Sequence, residues 1–214
     1  MLSAAIENLY DCFTEPCPVR IDGCSCCVQP EELHTLVVVP RDRLTAEQLE
    51  RYTRSVMLTV GNASDLRYLW PRIVELIVID QLRVNKETIF AAPRRAGWQL
   101  WPEQEQTALK TFVCAVLTDM TTRIYNDGLN EVDSWICAFS QFLDDVTIYL
   151  KPLLNDTAAA KANLLSLYDF NARRIARNRL TNVFWEETNP NFRKMLEWFR
   201  DPDVVAAVDR AYVI

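Results

Sequence analysis

Between Leu109 and Met120 the apolar residues fall at 109, 112, 113, 116, 117 and 120, a three-and-four rhythm that lays them along one face of an α-helix. The same spacing returns at Leu164, Leu167, Tyr168 and Ile175. Alternation of apolar and polar residues, the pattern of a half-buried strand, is nearly absent. Leu36-Val37-Val38-Val39 is the one stretch rich in β-branched residues. It follows a proline-opened acidic turn and stops at Pro40, so it reads as the end of a short helix. A chain patterned this way has helices to pack and no sheet to pack them on.

Helix starts are marked by local chemistry. Thr45-Ala46-Glu47-Gln48 has the form of a capping box, with Leu44 and Leu49 placed as a hydrophobic staple. Pro30, Pro102, Pro190 and Pro202 each stand at a plausible first helical position, where a missing N–H costs nothing. The resulting map has helices near 2–13, 30–38, 46–59, 65–82, 103–126, 131–152, 157–180, 190–200 and 202–212, with Asn85 to Trp101 unassigned and turns at Gly128 and Asn155-Asp156. Pro71 falls inside the fourth helix, which should bend or begin there. No low-complexity linker divides the chain. The expectation is one all-α domain over 1–214, an irregular bundle or short HEAT-like stack of antiparallel hairpins, with residues 1–40 a cysteine-rich segment packed on it.

A chain of 214 residues buries roughly 70% of the surface its unfolded form exposes, so it folds without disulfide or metal. Its four glycines, at 23, 61, 97 and 128, never come close enough for a Gly-x-Gly-x-x-Gly turn or a phosphate-cradling loop. One histidine, His34, leaves no His-rich metal centre and a single chance at a serine–histidine–carboxylate triad. Met1 to Glu7 lacks the basic lead and apolar stretch of a secretory signal, and the longest apolar run, Phe112 to Leu117, is far short of the roughly 20 residues a membrane span needs. These features read as a cytosolic chain, whose seven cysteines are reduced, metal-bound or buried rather than paired. The net charge is −6. Residues 1–50, 51–100, 101–150 and 151–214 carry −6, +4, −6 and +2 in turn. That sign disfavours nucleic acid and suits a basic protein partner.

The cysteine-rich N-terminal segment is the most specific chemical feature. Cys24-Ser25-Cys26-Cys27 follows Gly23, with Cys12 and Cys17 upstream. Cys24 and Cys27 have the two-residue gap of a zinc knuckle. Cys12 and Cys17 are candidates to complete a four-cysteine site, although the loop joining the pairs is shorter than in usual zinc motifs. His34 is a further candidate ligand. Three readings stand open: a structural metal, a reactive thiol, or reduced cysteines packed in a tight turn. Cys114 and Cys137 lie in helical apolar stretches and are expected in the core.

Arg173, Arg174, Arg177 and Arg179 place positive charge at a helix C-terminus, where it complements the dipole. They read as a solvated cluster paired with Asp169, with a phosphate or acidic partner as the alternative. Asp119, Asp127, Glu131, Asp133, Asp144 and Asp145 form an acidic group, a candidate docking face for a basic partner. Six tryptophans, at 70, 98, 101, 135, 185 and 198, read as core or seam packing.

Gly23-Cys24-Ser25-Cys26-Cys27, Leu44-Thr45, Tyr52, Gly61, Asp65-Leu66-Arg67-Tyr68-Leu69-Trp70-Pro71-Arg72 and then Trp98, Trp101, Ala108-Leu109 and Phe112 resemble a family of uncharacterised bacterial proteins. That family shows Gly-Cys-Pro-Cys-Cys near its start and Asp-Phe-Arg-Tyr-Phe-Leu-Pro-Arg farther on. The resemblance covers roughly the first 120 residues. Ser25 replaces the usual proline, and Leu66 and Trp70 replace phenylalanine and leucine. It implies a helical bacterial protein, directs attention to Cys24, Cys26 and Cys27 rather than Cys12, Cys17 or His34, and assigns no activity. The sequence therefore predicts a non-catalytic, cytosolic protein-binding protein of immunity or adaptor type that offers an acidic helical face. The rival is a metal- or thiol-dependent enzyme or sensor working through Cys24, Cys26 and Cys27, with a single zinc ion as its cofactor.

Overall fold

A computed structural model describes residues 1–125 and 131–213. Among them are ten α-helices and no extended strand: α1 (Leu2–Cys12), α2 (Pro30–Val38), α3 (Ala46–Ser55), α4 (Ala63–Val78), α5 (Lys86–Arg95), α6 (Glu103–Asp119), α7 (Glu131–Ser140), α8 (Ala158–Ile175), α9 (Pro190–Trp198) and α10 (Pro202–Tyr212). The fold is all-α. No helix among the described residues is long and apolar enough to cross a membrane. The chain divides into two compact units, Met1–Phe112 and Val113–Ile214, the division falling within α6.

In the N-terminal unit the helix starts are where capping chemistry predicts them. Thr45 Oγ1 accepts from the Gln48 N–H at 3.3 Å and Gln48 Oε1 accepts from the Thr45 N–H at 2.8 Å, closing the expected box at α3. Asn62 and Asp65 form a second box at α4: Asn62 Oδ1 accepts from Ser64 and Asp65, and Asp65 returns a bond to the Asn62 N–H at 2.9 Å. α4 runs through Pro71 without starting or ending there. Pro71 has no N–H to give the Arg67 carbonyl, and ten buried residues on α4, among them Leu66, Leu69, Trp70, Ile73 and Val74, hold the helix in place. α5 occupies the segment that sequence patterning leaves unassigned. It carries an internal proline, Pro93, and buries Ile89, Phe90 and Ala92, with Phe90 edge-on to Trp70 and stacked on Phe112.

Polar staples join α1, α4 and α6 within this unit. Arg67 grips Glu105 with two hydrogen bonds of 2.7 Å and meets Glu15 at 2.6 Å, while the Glu105 side chain is wholly buried. Arg41 donates to the carbonyls of Phe13, Tyr10 and Tyr68 and lies over the Tyr10 and Tyr68 rings. Tyr10 and Arg72 both donate to Glu75.

In the C-terminal unit, three fully buried asparagines decide where helical structure stops. Asn163 donates to the carbonyls of Met120 (2.7 Å) and Arg123 (2.8 Å) and accepts from the Tyr125 N–H (2.8 Å). Those groups lie just past the end of α6, which closes at Asp119 rather than continuing to 126. Asn191 does the same after α7: it donates to Ser140 and Leu143 carbonyls and accepts from the Val146 N–H. α7 therefore ends at Ser140, and short 3-10 turns at Thr147–Tyr149 and Lys151–Leu154 replace the predicted continuation to 152. Asn171 accepts from the Thr181 N–H and donates to Asp133, and α8 closes at Ile175 with Asn178 in the left-handed region at φ +54°. α8 and α10 pack through Leu164, Ala207 and Val208.

Candidate metal centre

The Cys24–Cys27 turn is held by backbone on both flanks. Gly23 pairs antiparallel with Val60, the Cys24 N–H donates to the Thr59 carbonyl at 2.9 Å, and the Gly61 N–H donates to the Asp22 carbonyl at 2.8 Å. A Cβ on Gly23 would stand 3.2 Å from Val60 and 3.3 Å from Leu33, so this close approach favours glycine. The Cys24 carbonyl accepts from the N–H groups of Cys27 and Val28 at 2.9 and 3.1 Å, closing one tight turn. Ile21 before the turn and Val28 after it are buried. Between these plugs the thiols of Cys24 and Cys26 are exposed and that of Cys27 is half-buried.

Their sulfurs lie within 4.8 Å of one another, and this is the one His, Cys, Asp and Glu group of three or more at metal-binding separation among the described residues. Tetrahedral zinc with Zn–S bonds of about 2.3 Å sets its sulfurs roughly 3.8 Å apart. Cys26 and Cys27 are at 3.8 Å, and Cys24 and Cys26 at 2.8 Å. To reach that separation the latter pair would have to open by about 1 Å, a change within the reach of side-chain rotation at an exposed turn. All seven cysteines are free thiols. A hydrogen bond from Cys26 favours the Cys24 thiolate and holds its pKa below the ordinary thiol value, whereas the same interaction, together with Cys27, pushes Cys26 up to about 11. The turn thus favours the thiolate of one sulfur over that of its neighbour, and the thiolate is the form that ligates metals.

Cys12 and Cys17 do not join the cluster. Cys12 closes α1 with its sulfur 3.6 Å from Asn8 Oδ1, and the Cys17 thiol donates to the Val37 carbonyl at 3.4 Å. The four-cysteine site is not assembled. His34 sits exposed on α2 and lines a groove of about 330 Å³ together with Gly23 and Ser25, apart from the three sulfurs. Cys27 borders a polar cleft of about 620 Å³ with the Glu32–Arg51 ion pair. Cys137 is buried as expected, but Cys114 faces outward from α6, a correction to its predicted place in the core. Its neighbours Val113 and Ala115 occupy the buried stripe, and one helical step rotates Cys114 off it.

The acidic residues are dispersed among local roles. Asp133 is buried against Asn171, and Asp119 binds Arg123 and accepts from the Tyr125 hydroxyl. Asp145 meets Lys194 at 3.0 Å and accepts from Thr147. Glu131 opens α7, Asp144 is exposed, and Asp127, like Gly128, lies outside the described residues. Burial raises the Asp145 pKa, but the hydrogen bonds from Thr147 and Lys194 outweigh it and leave the carboxyl below its usual range. The folded chain therefore binds the Asp145 proton less readily than the unfolded chain, whose carboxyl titrates at about 3.9. Asp145 stabilises the fold fully above that pH and loses its contribution as the pH falls. Urea denaturation should show Asp145→Asn less stable than the parent at pH 7, with the gap closing towards pH 2; a gap of constant size would mean the charge is not its source.

Five tryptophans, 70, 98, 101, 135 and 185, are buried, in line with packing roles. The Asp65–Arg72 motif is architectural too: Asp65 caps α4, Arg67 holds Glu105, and Arg72 reaches the Leu44 carbonyl at 2.7 Å. Comparison of the chain with known protein families, curated proteins and solved structures returns no match.

Proposed function

We propose that this protein takes one soft metal ion, zinc, on Cys24, Cys26 and Cys27, and that it works as a metal-dependent enzyme or sensor through that turn. The observation that carries this reading is the convergence of three sulfurs within 4.8 Å on an exposed turn. Burial alone gives small apolar thiols no reason to gather at the surface. Structural zinc sites are closed by four ligands, whereas sites that act or exchange keep a position open. Three thiolates leave that fourth position to water, a substrate or a side chain of a partner. The turn is built without the ion, because backbone hydrogen bonds from Cys24 to Thr59 and from Cys27 and Val28 to Cys24 already define it. Metal therefore adds reactivity or signalling rather than the fold.

The test is zinc content after purification without chelator, followed by competition with a chromophoric chelator. One ion per chain is expected. Four-ligand sites bind zinc with about 10–16 kcal/mol, roughly 3 kcal/mol per ligand, so Cys24→Ala/Cys27→Ala should weaken binding by about four orders of magnitude. The melting temperature of the metal-free chain should hardly move, and Cys12→Ala/Cys17→Ala should bind as the parent does. Zinc binding that survives loss of Cys24 and Cys27, or a parent chain that takes up none, overturns the reading.

A further inference from the structure

A second cluster, of arginines in the C-terminal unit, belongs to no part of that turn. The end of α8 closes through the Arg179 N–H to the Arg174 carbonyl at 3.0 Å, with Asn178 in the left-handed conformation. This turn carries Arg177 and Arg179. Arg200, just beyond α9, fastens to it by donating to the Ile175 carbonyl (3.0 Å) and to Asn178 Oδ1 (2.6 Å). Arg193 approaches from the fourth residue of α9. Arg177, Arg179, Arg193 and Arg200 line a cleft of about 500 Å³ to which Phe192 and Leu196 also contribute.

Elsewhere among the described residues Arg20, Arg51, Arg54, Arg67, Arg72 and Arg123 each hold a carboxylate, whereas Arg43, Arg83, Arg95 and Arg210 are without one. Among the described residues Arg177, Arg179 and Arg193 hold none. Glu187 and Glu197 line the same cleft without pairing to them, which leaves four positive groups against two negative. Asp169, the expected partner of this arginine run, instead accepts from the Tyr212 hydroxyl. Arg193 also lies in the N-terminal part of its helix, where the dipole disfavours a cation. Like charges gathered against the local field are stabilised by an anion among them.

We infer that this cleft binds a phosphorylated small molecule, its phosphate groups held by Arg177, Arg179 and Arg193 and its body laid against Phe192 and Leu196. Planar guanidinium groups match phosphate oxygens in pairs. The volume exceeds what a lone phosphate needs and falls in the range of pockets for small ligands. A nucleic-acid polymer is disfavoured by the chain's net charge of −6.

The probe is inorganic pyrophosphate, titrated into the full chain at low salt and followed by calorimetry. Saturable binding at one site per chain is expected, weakening as salt rises. Arg177→Gln/Arg193→Gln should lose about a hundredfold in affinity, roughly tenfold for each charge-assisted contact. Arg173→Gln, a neighbouring arginine outside the cleft, should bind as the parent does. Circular dichroism should show both variants folded, since neither Arg177 nor Arg193 holds the turn. The inference is overturned by absence of saturable binding, by an equal loss in Arg173→Gln, or by a single-stranded oligonucleotide that binds these arginines more tightly than pyrophosphate. Cys24→Ala/Cys27→Ala should leave pyrophosphate binding intact, so this result stands or falls apart from the metal reading.

Discussion

Arg67→Ala is expected to lower stability by about 3–5 kcal/mol, the usual result of stripping one partner from a buried ion pair. Glu105 has no exposed side-chain surface, and both its oxygens are taken by Arg67 at 2.7 Å. Without the guanidinium the carboxylate must stay charged away from water or bind a proton, and either course costs free energy. The double variant Arg67→Met/Glu105→Leu should recover much of the loss, because a packed apolar pair removes the stranded charge. Urea denaturation of the parent, the single and the double variant measures both effects. If Arg67→Ala costs less than about 1 kcal/mol, water reaches Glu105 and the pair is not a buried staple.

The second large effect concerns Asn191. Its side chain meets the Ser140 carbonyl at the end of α7 and, in the segment just after it, the Leu143 carbonyl and Val146 N–H, at 3.0, 2.8 and 2.8 Å. Asn191→Ala should therefore destabilise by about 3 kcal/mol, near 1 kcal/mol for each hydrogen bond, with more wherever a backbone group is left buried and unpaired. Amide hydrogen exchange should report the loss first at Val146. Asn155→Ala, at an exposed turn, should stay within about 0.5 kcal/mol of the parent. Equal effects at the two positions would show that Asn191 does not organise the segment.

The contrast between these sites explains what could be read in advance. The starts of α2, α3, α9 and α10 were legible because a cap or proline acts over three or four residues. α5 was not, since Pro93 and the weak apolar rhythm around it hide a helix that tertiary burial of Ile89 and Phe90 sustains. At the candidate site, the Cys24–Cys27 grouping was visible as spacing, whereas the exclusion of Cys12 and Cys17 depends on the separate contacts each makes with Asn8 and Val37. Arg193 and Arg200 gave no sign of joining Arg177 and Arg179, except that Arg193 stands near the N-terminus of a helix with no acidic residue in its first turn.

From the residues alone come the all-α class, most helix starts and the three neighbouring thiols, because each rests on interactions reaching no farther than one helical turn. Tertiary structure decided where α6, α7 and α8 end, which cysteines converge and which arginines share a cleft. Most of those outcomes depend on side chains that meet across some 10 to 51 positions of chain, as Asn191 meets Ser140, and local pattern holds no record of such meetings; the Cys12–Asn8 contact, four positions apart, is the local exception.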